Sequence, residues 1–130
     1  MNVAVLYFGN ELIPEDRFAI EVVKEMKKKS PKIDFIHCKS PEEILNYKNY
    51  KKIFIIDVSP NVDDVTVVED INMLKKRGLF SLHDFDLNFF LKLMEKMGNF
   101  KIKDIKIIAL PIKGEKKALA EEALEIILQV

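Results

Sequence analysis

The feature that most constrains this chain is an alternation. Short, continuously apolar runs rich in β-branched residues are separated by stretches of helical periodicity. Val3 to Phe8 is such a run, ends at Gly9-Asn10, and reads as a strand buried on both faces. Phe18, Val22, Val23 and Met26 then recur at helical spacing, with Glu15 and Asp16 at the start and Lys27 to Lys29 at the end, charges that suit the helix dipole. Ser30-Pro31 stops that helix. Ile33 to His37 reads as a second strand, and Ser40-Pro41-Glu42-Glu43 opens a short helix with Pro at its first position. Lys52 to Asp57 is the strongest buried-strand signal in the chain.

Further along, Asp64 to Glu69 reads as an edge strand, and Ile71 to Gly78 as loop or a helical turn. Ser81-Leu82-His83-Asp84 has the form of a capping box. It predicts a helix to Met97 with Leu87, Phe90, Leu91 and Met94 on one face, ended by Gly98-Asn99. Ile105 to Leu110 is the last core strand, closed by Pro111. Glu115 to Leu128 is the last helix, with Leu119, Ala123, Ile126 and Ile127 facing inward. Strand and helix alternating in this way predict an α/β fold, a three-layer α/β/α sandwich around a mostly parallel sheet of roughly five strands with one candidate antiparallel strand. The 130 residues form one domain, residues 1–130, without repeats or linkers.

Composition narrows the function classes. Lys plus Arg and Asp plus Glu both number 21, so no net field draws in nucleic acid or anionic lipid. No apolar run approaches the roughly 20 residues that span a bilayer. The first residues run straight into the Val3 strand with no basic leader, so a signal peptide is not expected. Cys38 is the sole cysteine, which excludes an intramolecular disulfide and a thiolate zinc cluster. A cytoplasmic protein is the expectation. Lys greatly outnumbers Arg, and Gln occurs once, a bias that suggests a thermophilic source.

In open α/β sheets ligands bind beyond the carboxyl ends of the strands. The polar residues expected there are Gly9, Asn10, Glu11, Glu15 and Asp16; then Asp57, Ser59, Asn61, Asp63 and Asp64; then His83; and last Lys113-Gly114. Each of the prominent ones has an ordinary structural reading. Asp57 can serve as a turn acceptor, His83 as a half-buried hydrogen-bonded histidine, and Asp16 beside Glu15 as a first-turn acid. Together, two carboxylates and an imidazole form an N/O ligand set suited to a borderline divalent metal, with a position left open. Walker, zinc-helix, dinucleotide and serine-elbow motifs are missing. His37 and Cys38, as successive strand residues, point to opposite faces and do not pair as a nucleophile and base. His37 is expected on the strand surface.

These residues carry a resemblance. Val5 to Asp16, a strand followed by Gly-Asn and a short loop to an acidic pair, is similar to the opening of the hydrogenase maturation proteases. Ile55-Ile56-Asp57 resembles the family's second metal-contact motif, Ser81 to Leu87 the third, and Asp104 to Pro111 its closing strand. The resemblance implies an endopeptidase that removes a C-terminal peptide from the precursor of the [NiFe]-hydrogenase large subunit after nickel insertion. Asp16, Asp57 and His83 would contact nickel carried by the substrate, and no resident cofactor is expected. Arg17, Phe18 and Ala19 stand where the family carries glycines, a departure from the pattern that keeps open a non-catalytic module that only docks the precursor. A phospho-acceptor receiver domain is the other alternative. It calls for an acidic pair directly after the first strand to hold Mg²⁺, where this chain has Gly9 and Asn10.

Overall fold

The apolar runs assemble into one sheet. The computed structural model describes residues 2–68 and 105–129. In chain order the elements are β1 (Val3–Phe8), α1 (Pro14–Lys29), β2 (Asp34–Cys38), a 3-10 helix (Pro41–Tyr47), β3 (Lys52–Val58), β4 (Thr66–Val68), β5 (Ile105–Leu110) and α2 (Lys116–Leu128). The sheet has five strands in the order β2-β1-β3-β5-β4. β2, β1, β3 and β5 pair in parallel, and β4 closes one edge antiparallel to β5. The predicted α/β class, the mostly parallel sheet and the single antiparallel edge strand are all present. The segment predicted as helix from 81 to 97 lies outside the described residues.

The continuous apolar runs are explained by burial on both faces. On one face Val5, Tyr7, Phe54, Ile56 and Ile108 pack beneath α1 and α2. On the other, Leu6, Phe8, Ile53, Ile55 and Ile107 pack with Ile44 of the 3-10 helix. Phe54 and Ile55 are at most 1% exposed, and burying side chains of this kind stabilises by roughly 1.5–3 kcal/mol each. Helix α1 buries Ala19, Ile20, Val22, Val23 and Met26. Phe18, predicted on that stripe, is only partly buried, and the Lys116 ammonium lies 5.9 Å from its ring centroid. Helix α2 lies beside α1, and the Lys116–Glu21 and Lys29–Glu121 ion pairs join the two at the surface. Pairs this exposed contribute little.

Several predicted bounds shift slightly, and the edge strand expected from Asp64 pairs over Thr66–Val68. The second strand starts one residue later than its apolar pattern, because Ile33 packs under α1 before pairing begins. In the last helix the buried stripe is Leu119, Ala120, Ala123, Leu124 and Ile127, and Ile126 sits at its margin, partly buried. Spacings of three to four residues from Leu119 and Ala120 account for that stripe.

Cys38 ends β2 facing inward, 1% exposed. Burial, reinforced by the Glu43 carboxylate, pushes its thiol up from 9.0 to about 12. The thiolate is the reactive species. The folded protein is therefore expected to resist iodoacetamide near neutral pH and to be alkylated once unfolded, as read by mass spectrometry. The raised value also fixes a sign. The unfolded thiol ionises first, so this stabilisation is whole below pH 9.0 and is lost as pH rises toward 12. Rapid alkylation of the native protein would contradict this placement.

Candidate functional site

The strand order reverses direction at β1. From β1 the chain crosses through α1 to β2 on one side, and β3 then pairs on the other side. The carboxyl edge between β1 and β3 is thus a switch point, where open α/β sheets form ligand crevices. Asp16 and Asp57 both lie at this edge.

Asp16 is placed by the turn after β1. Gly9 has φ +142°, a conformation that residues with a Cβ rarely adopt. Asn10 then forms a turn in which its side-chain Oδ1 accepts the Leu12 N–H at 2.9 Å and its carbonyl accepts the Ile13 N–H at 2.9 Å. Pro14 starts α1, and Asp16 falls in the first turn, where the dipole favours a negative charge. Its Oδ2 accepts the Asn10 N–H at 2.9 Å. Asp16 is 1% exposed, whereas Glu15 next to it faces solvent. A signal for this exists in the sequence: Asp16 is three, four and seven residues before Ala19, Ile20 and Val23, on the buried stripe of α1.

Asp57 is the penultimate residue of β3, the central strand, paired with Ala109 of β5. Continuing the β1–β3 register sets it level with Phe8. It is 0% exposed, and its Oδ1 accepts the Val58 N–H at 2.8 Å. Alternation along β3 turns it to the sheet face opposite α1, the side of Ile53 and Ile55. Just beyond, buried Ser59 donates its N–H to the Leu110 carbonyl at 2.9 Å, and its Oγ accepts the Asn61 N–H at 3.2 Å.

Of the other residues named from the sequence, Gly9 and Asn10 hold Asp16. Glu11, Asn61, Asp63, Asp64 and Lys113 are exposed. Gly114, with φ +139°, lies against Leu119 and shapes the entry to α2. His83 lies outside the described residues. Among the described residues, no group of three or more His, Cys, Asp or Glu side chains is arranged to hold a metal ion. What the described part contributes is two buried carboxylates, Asp16 in the first turn of α1 and Asp57 near the end of β3.

His37 has more contacts than a plain surface histidine. It is exposed at the end of β2, stacks on Tyr7 with centroids 4.8 Å apart and planes 5° from parallel, and its Nε2 lies 2.9 Å from the Gly9 carbonyl oxygen. Gly9 to Leu12, His37 and Lys39 line a cleft of about 530 Å³ at this edge. A larger cleft of about 660 Å³, lined by Asp34, Phe35, Tyr47 and Tyr50 among others, lies along β2, and neither Asp16 nor Asp57 lines either cleft.

No protein-family model matches this chain, and no curated protein matches it. Among solved structures it is similar to the [NiFe] hydrogenase maturation protease HybD from Thermococcus kodakarensis, with a TM-score of 0.68 and 19% sequence identity, over 99% of this chain and 98% of that one. At this identity the likeness is one of fold, and it extends over practically the whole of both chains.

Proposed function

We propose that this chain is an endopeptidase that removes a C-terminal peptide from the large-subunit precursor of a [NiFe] hydrogenase once nickel has been inserted. In this reading Asp16, Asp57 and His83 contact the nickel that the precursor carries. The observation that supports it best is the pair of buried acids, Asp16 at 1% and Asp57 at 0% exposure, at the β1–β3 switch point of a sheet whose fold resembles a maturation protease from end to end. Carboxylates are seldom buried without a paired or ligated role.

The chain's own groups suit that task. The Asn10 amide fixes one oxygen of Asp16, and the Val58 amide fixes one oxygen of Asp57. Such fixing lowers the cost of orienting ligands when the substrate arrives. Because both side chains are buried, docking of the precursor must also move the residues over them. A substrate recognised through its nickel would make cleavage a checkpoint on metal insertion.

The receiver alternative fits less well. The order here is 2-1-3-5-4 with an antiparallel edge, whereas the flavodoxin-like order is 2-1-3-4-5, and no acidic pair directly follows β1. The deciding experiment incubates the purified protein with nickel-loaded and nickel-free precursor and reads the precursor's mass. Loss of a short C-terminal peptide from the loaded form alone is expected. A loaded precursor that binds yet stays intact would replace the enzyme with a docking module.

A further inference from the structure

We propose that His37 is a positioning residue for Asp16, acting through the single peptide group that joins Gly9 to Asn10. The significance for catalysis rests on the proteolytic reading above; the hydrogen-bond chain does not. The Gly9 carbonyl can only accept, so the His37 Nε2, 2.9 Å away, carries the proton and donates. The N–H at the other end of the same planar unit, that of Asn10, donates to Asp16 Oδ2 at 2.9 Å. An imidazole, a peptide and a carboxylate are thereby linked in series. A carbonyl that accepts a hydrogen bond polarises its peptide, and the N–H opposite becomes a better donor.

The imidazole is held for this purpose. Tyr7 and His37 are register partners on β1 and β2, and their rings stack. Tyr7 is held in turn by Lys27, whose ammonium donates to the Tyr7 hydroxyl at 3.1 Å and lies 5.2 Å from the ring centroid. The peptide being steered needs such a hold. Gly9 has no Cβ to restrict it, and rotation of the Gly9–Asn10 unit would carry the Asn10 N–H away from Asp16. Anchoring the carbonyl at His37 resists that rotation.

Three variants separate the donor from the ring. His37→Gln places an amide nitrogen near the Nε2 position and loses the stack. His37→Phe keeps the stack and loses the donor. His37→Asn is too short to reach. The first readout is the Asn10 amide resonance in ¹H–¹⁵N spectra, which needs no substrate. The second is the rate of processing of nickel-loaded precursor.

His37→Phe and His37→Asn are expected to shift the Asn10 amide proton upfield and to slow processing by about tenfold, the size of one ordinary hydrogen bond. His37→Gln is expected to restore both. A purely structural role for the stack predicts the reverse order, with Phe normal and Gln impaired, and that order would overturn the proposal. So would an Asn10 resonance unmoved by His37→Phe. If the wild-type protein cleaves nothing, the proteolytic reading fails, and the Asn10 resonance alone decides the place of His37.

Discussion

Asp57→Asn is expected to abolish processing of nickel-loaded precursor, by roughly 10²-fold or more, while the protein stays folded. The substitution is nearly isosteric. Its side-chain oxygen can still accept the Val58 N–H that Asp57 Oδ1 accepts at 2.8 Å, so the end of β3 keeps its local bond. What it replaces is the second carboxyl oxygen, by an amide nitrogen that cannot ligate a metal, at a fully buried position at the switch point. Circular dichroism and the denaturation midpoint should stay near wild type, and precursor mass should remain unchanged over the assay. His83→Ala, outside the described residues, is expected to behave alike. Normal processing by Asp57→Asn would remove that residue from the proposed site.

Gly9→Ala is expected to damage stability and processing together. Gly9 has φ +142°, and an added Cβ would stand 3.1 Å from the Asp16 Cβ and 3.4 Å from its Cγ. The backbone strain alone costs about 1–3 kcal/mol. The contact costs more, because relief requires Asp16 to move and thereby to loosen its bond from the Asn10 amide. Gly114→Ala is the matched control. It carries a similar strain at φ +139°, but the atoms nearest to an added Cβ belong to Leu119, with Cδ1 at 3.2 Å, and not to either acid. Both variants should lower the midpoint of thermal unfolding, and only Gly9→Ala should lose processing. Equal processing by the two would show that the close packing of Gly9 on Asp16 has no part in activity.

The sequence makes the sheet readable for a plain reason. β1, β3 and β5 are covered on both faces, so they appear as largely apolar runs, with Lys106 the one polar residue inside β5. Asp57 is conspicuous because it interrupts such a run. Asp16 is less so, since two adjacent acids at a helix start look alike until the helical phase shows which one turns inward. His37 could not be found this way. Its partners, Tyr7 and Gly9, are brought to it by the β1–β2 register, a long-range pairing that no local pattern encodes. Ile126 marks the same limit in a helix: apolar character alone does not separate the centre of a buried stripe from its margin.

The central place of β3 has a further consequence. Flanked by β1 and β5, it has no free border along which to fray. Its amides should exchange with solvent deuterium only through near-global opening, while outlying segments exchange through smaller, cheaper excursions. Asp57 therefore rides on the slowest-opening part of the molecule. Local breathing at the periphery can admit a bulky protein partner without disturbing where that carboxylate stands.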